Sequence, residues 1–174
     1  MKEILTTYWS QSVLIILSIA YFVKRIFDNK SKKIEIKYSL FQQNRIIAVN
    51  TFFSNYAKVE FMWHKLSYWE VLEHKIPTKE IDEEIWPPLY ALKQSVFELK
   101  VYFSTNDHKH FEKLYQNFQS INGHLLYAKG DYSESKTVTQ KANDFTAIRD
   151  KTYKDNSKII DELTTIIRKS YADI

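Results

Sequence analysis

The amino-acid sequence predicts an all-α protein. A single N-terminal transmembrane helix with its basic juxtamembrane segment occupies residues 1–30, and an antiparallel four-helix bundle with long first and last helices fills residues 31–174. Three observations carry this expectation. Two Gly and three Pro in 174 residues leave few positions for the tight turns that β architectures need. Apolar residues beyond residue 30 recur at steps of three, four and seven, the period of a helix face. Residues 4–23 carry no charge, and a helix of that length covers about 30 Å, the thickness of a bilayer's hydrocarbon core.

The N-terminal run is not uniformly apolar: Thr6, Thr7, Ser10, Gln11, Ser12 and Ser18 interrupt it, leaving residues 13–23 as its greasiest part. A cleaved signal peptide fits poorly, because the leader holds one lysine offset by Glu3 and no small-residue cleavage site follows. A buried core helix fits poorly too, since such a helix keeps a charged outer face. Tyr8 and Trp9 near one end, with Tyr21, Phe22 and Phe27 near the other, suit aromatic anchors at a membrane interface. Lys24, Arg25, Lys30, Lys32, Lys33 and Lys37 follow the run, whereas only Lys2 precedes it. Basic residues beside a span stay in the cytoplasm. The expected placement is therefore single-pass in the cell (inner) membrane, N-terminus outside and C-terminal domain in the cytoplasm, with those six basic residues facing anionic lipid. Thr7, Gln11 and Ser18 share one helix face and form a polar seam that a second copy of the span would satisfy, giving a homo-oligomer.

The first helix of the bundle is expected from about Ser31 to His74, with Phe41, Ala48, Phe52, Val59, Met62, Leu66 and Trp69 as its seam. Pro77, Thr78 and the acidic cluster Glu80, Asp82, Glu83 and Glu84 form a break. A second helix then begins at Trp86, Pro87 and Pro88, since prolines are accepted in a first turn, and runs through Leu89, Leu92, Val96 and Leu99 to Phe103. Ser104, Thr105, Asn106 and Asp107 are cap-forming residues that open a third helix. Its seam is Phe111, Leu114, Tyr115, Phe118, Ile121, Leu125 and Leu126; Gly123 weakens it, and Lys129 and Gly130 end it. Asp131 with Glu134 has the form of a capping box opening the last helix. That helix buries Val138, Ala142, Phe145, Ile148, Ile159, Leu163, Ile166 and Ile167. Its middle, with Arg149, Asp150, Lys151, Lys154, Asp155 and Asn156, reads as a solvated stretch or a partner-facing register.

The net charge is +4, but its location removes a nucleic-acid reading. Residues 1–37 hold seven Lys/Arg and three Asp/Glu, whereas the remainder holds 18 of each, so the body presents no basic footprint. The chain has no Cys, which excludes disulfides and thiol chemistry. With 12 Tyr, 11 Phe and 4 Trp, the core is expected to be built from rings.

Chemistry-bearing patterns are sparse. His108 and His110 flank Lys109, a spacing that sends two imidazoles to different sides of a helix, and no further ligand completes a metal set. They read as a solvated helix start. Glu60 with His64 and Glu70 with His74 read as helix-stabilising pairs. The acidic cluster favours the dipole of a following helix and is otherwise a partner-facing patch. Neither Gly123 nor Gly130 belongs to a phosphate-binding loop, and no serine sits in a nucleophile elbow. No catalytic residue, metal or cofactor is assigned. The expected function is a membrane-anchored, non-enzymatic helical interaction module, a scaffold, regulator or sensor with an unidentified cytoplasmic protein partner. The alternatives are a membrane-active effector whose spans oligomerise and alter permeability, and an enzyme whose site is assembled only by folding.

Overall fold

The computed structural model describes residues 2–130 and 136–172, leaving aside the side chains of residues 2–7, 10–12, 15 and 171–172. It is all-helical: α1 spans Lys2–Lys65, α2 Tyr68–Leu72, α3 Thr78–Leu99, α4 Thr105–Gly130 and α5 Val138–Ala172, with no strand among the described residues. The chain divides into two units, Met1–Ile46 and Ile47–Ile174.

The expected transmembrane span is corrected. Among the described residues no helix is long and apolar enough to cross a membrane, which overturns the single-pass inner-membrane placement with the N-terminus outside. The physical reason is that a run without charge is not thereby apolar. Six hydroxyl and amide side chains dilute residues 4–23, and Lys24 and Arg25 follow at once. The least interrupted part, residues 13–23, covers only about 16 Å as a helix, half of a hydrocarbon core.

In the second unit, α1 buries Ala48, Val49, Phe52, Tyr56, Val59, Met62 and Trp63, a stripe at steps of one, three and four. Phe41 and Trp69, expected in the same seam, are 41% and 39% exposed. The helix stops at Lys65 rather than at His74; the short α2 follows, and beyond it His74 takes a left-handed backbone with φ 58° that turns the chain toward α3. α4 packs on both α3 and α5, and α2 packs against α4 and α5. α1 reaches the others through ring contacts: Phe52 meets Phe111 at 4.9 Å between centroids and 85° between planes, and Tyr56 meets Phe118 at 5.0 Å. Trp63 meets Phe145 at 6.3 Å.

α3 begins at Thr78, so the acidic cluster lies inside the helix, and Pro87 and Pro88 sit within it rather than in its first turn. Each interior proline costs roughly 3 kcal/mol. Burial offsets this: Ile81, Ile85 and Leu89 are each 1% exposed and contribute about 1.5–3 kcal/mol apiece. α4 opens on Ser104, whose Oγ accepts from the Asp107 amide at 3.2 Å and donates to Asp107 Oδ2 at 2.7 Å. The capping pair expected at Asp131 and Glu134 lies outside the described residues. At the start of α5 a reciprocal box is formed six residues further on: the Gln140 amide donates to Thr137 Oγ1 at 3.2 Å, and the Thr137 amide donates to Gln140 Oε1 at 2.9 Å.

Candidate functional site

Two surfaces and one buried polar group stand out. On α1 within the first unit, Leu14, Ile16, Leu17, Ile19, Phe22, Ile26, Phe27 and Ile34 are all more than half exposed. Between them and after them stand Lys24, Arg25, Lys30, Lys32, Lys33 and Lys37, likewise exposed. Ser18 is exposed too, while the side chains of Thr7 and Gln11 lie outside the described residues. Soluble monomers rarely leave large contiguous apolar patches uncovered.

The second surface is on α3. Tyr90, Phe97 and Val101 are 59%, 74% and 73% exposed, and Trp86 stacks on Tyr90 at 5.5 Å. A cleft of about 380 Å³ lies beside Phe97, formed by Lys93 and Phe97 of α3, by Lys100 just past its end, and by His108, Glu112 and Tyr115 from α4. His108 floors it. Its Nε2 lies 2.8 Å from the Val96 carbonyl, which can only accept, so Nε2 carries the proton; Nδ1 lies 3.3 Å from Glu112. This residue, read from sequence as solvated, is 5% exposed because the helix phase that buries Phe111 and Leu114 also turns residue 108 toward α3. Burial pushes the Tyr115 hydroxyl above its ordinary pKa, partly offset by a hydrogen bond with Gln119 and reinforced by the nearby Tyr90 hydroxyl. His110 points elsewhere, to Glu162 at 3.4 Å.

The acidic cluster is distributed over several partners. Asp82 accepts from Trp86 Nε1 at 3.1 Å, Glu83 lies 3.7 Å from Lys79, and Glu84 pairs with Lys65 of α1 at 2.9 Å. Glu80 is exposed. Among the described residues no three His, Cys, Asp or Glu side chains come together as a metal site.

The buried polar group joins α1, α4 and α5. Asn156 is fully buried, although its charged neighbours led the sequence reading to place it in a solvated stretch. Asn117 Nδ2 donates to its Oδ1 at 2.7 Å. The Tyr56 hydroxyl lies beside Asn156, and burial pushes its pKa up to about 12.

No family model, curated protein or solved structure matches the chain, so the functional reading rests on these surfaces alone.

Proposed function

We propose that the chain is a non-enzymatic helical interaction module in which α1, α3, α4 and α5 form an antiparallel four-helix arrangement that offers apolar helix faces to protein partners. The order of contacts supports the topology. Residues 52 and 56 of α1 meet 111 and 118 of α4 in the same order, whereas Asn55 and Lys65 meet Ala91 and Glu84 of α3 in reverse. Asn117 and His110 of α4 likewise meet Asn156 and Glu162 of α5 in reverse.

The observation that carries the function is the uncovered apolar side chains of α1 residues 14–34. Burying a large apolar side chain is worth about 1.5–3 kcal/mol, so several of them give a helical partner ample binding energy even after the cost of association. The test is sedimentation velocity and affinity capture of the full chain beside a variant carrying Phe22→Gln, Ile26→Gln, Phe27→Gln and Ile34→Gln. The expected result is an assembly or a stoichiometric protein partner with the native chain, lost in the variant. A native chain that stays monomeric at every concentration and captures no protein sinks the reading.

A further inference from the structure

Away from its buried face, α3 carries a stripe that begins at the half-buried Trp86 and, at Tyr90, Phe97 and Val101, is left exposed among the described residues. Trp86, Tyr90 and Phe97, with Val101 in the turn that follows, are spaced by four, seven and four and so align along one side. Lys93 and Lys100 lie beside this stripe, and among the described residues their side chains make no ion pair or hydrogen bond. The other end of the helix is acidic, with Glu80, Asp82, Glu83 and Glu84 against Lys79; Glu84 is turned to Lys65 of α1 and Asp82 holds the Trp86 indole, so the exposed Glu83 is the acid on the side of the stripe. A helix acidic at its start, basic at its end and aromatic between complements a second copy of itself running the opposite way. A parallel pairing would set acid against acid.

We propose that this face pairs, antiparallel and two-fold symmetric, with α3 of a second copy of the chain, the axis passing near Lys93 and Gln94. The proposal rests on reading the chain as an interaction module and names its partner. In this register Trp86 meets Val101 of the second copy, and Tyr90 meets Phe97 of the second copy, each pair occurring twice by symmetry. Lys100 lies opposite the second copy's Pro87, one turn from its Glu83, and Lys93 lies one turn from its Glu98. The cleft beside Phe97 receives the second copy's Tyr90 ring. The chain's own exposed α1 residues are the poorer occupant, because their six basic side chains would face Lys93 and Lys100. One helix pair lies at the small end of specific interfaces, so the dimer is weak and concentration-dependent.

Sedimentation equilibrium of the full chain tests this, run also in the background of the four α1 substitutions so that association through α1 does not mask it. Glu83→Lys and Lys100→Glu each place like charges at both symmetric contacts and should raise the dimer dissociation constant about tenfold. Mixing the two single variants should restore it, because in the mixed dimer each new charge faces its opposite. Phe97→Asp should abolish dimerisation with helix content unchanged. A mixture that dimerises no better than either variant alone overturns the proposal. So does assembly that responds only to the α1 substitutions, which leaves the interaction-module reading standing. A chain that is monomeric yet captures an acidic helical protein through Phe97 also overturns the second copy as occupant while keeping that reading.

Discussion

Asn156 sits at the meeting point of α4 and α5, its Oδ1 bonded to Asn117 and its side chain beside the Tyr56 hydroxyl. A lone polar cluster in a bundle core penalises every register that would separate its members. Its burial was readable, since Asn156 stands fourteen residues after Ala142 and seven before Leu163, both buried. A window dominated by charges hid that phase. Asn156→Asp keeps the shape and adds a charge that the interior cannot solvate. It should lower stability by roughly 3 kcal/mol or more at pH 7. Because such a carboxyl is held above its usual pKa, much of the loss should return at pH 4; a variant as stable as the parent at pH 7 would show that water reaches the site. Tyr56 gives the opposite limb of the pH profile. Burial, reinforced by the Glu60 charge and offset by Asn156, raises its hydroxyl to about 12, and burial raises Tyr153 as well. A folded pKa above the unfolded value means stability is intact below pH 10 and lost as pH rises toward 12. The unfolding free energy from urea titrations should therefore hold to about pH 9.5 and then fall, by about 1.4 kcal/mol per pH unit for each such tyrosine that must ionise. Tyr56→Phe should shallow that fall.

At the scale of single helices, local grammar was legible where short polar side chains could bond the backbone and illegible where packing overrode it. Ser104 and Asp107 were read as a cap and form one. Thr137 and Gln140 have the same capping-box spacing as Asp131 and Glu134, which stand six residues earlier in the chain. Pro87 and Pro88 were read as a beginning because prolines disfavour helix interiors; only the buried ladder of Ile81, Ile85 and Leu89, which depends on the other helices, makes the earlier start favourable. Thr137→Ala removes the acceptor for the Gln140 amide and should cost about 0.5–2 kcal/mol. A thermal midpoint unchanged within error would mean that α5 does not depend on its box. Gly123 lies inside α4, and a Cβ there would meet nothing within 4 Å. Gly123→Ala should therefore stabilise the chain by about 0.5–1 kcal/mol through helix propensity alone, measured as a rise in the denaturant midpoint at constant slope.

Across the whole molecule, helical content was the most legible property, because scarce Gly and Pro constrain every connection at once. Partnership was the least legible. An exposed apolar helix and a membrane span share a composition, and length, hydroxyl content and the position of the first charge decide between them. The two units differ in what stabilises them. Residues 47–172 hold the buried core, with Phe52, Phe111, Phe118 and Leu163 at 0% exposure, whereas every side chain over residues 16–40 is exposed. A helix with no covered face depends on its own backbone hydrogen bonds, and such helices are marginal in water. The β-branched Ile19, Ile26, Ile34 and Ile36 weaken it further. Hydrogen exchange on the dilute full chain should therefore find amides of residues 16–40 exchanging faster than those of α4 by roughly two orders of magnitude or more. Raising the concentration, or adding the captured partner, should protect residues 16–40 selectively and leave the core of α4 unchanged. Equal protection of the two regions in a monomeric sample would show that the α1 face is already covered, and would remove the reason for reading it as a binding surface.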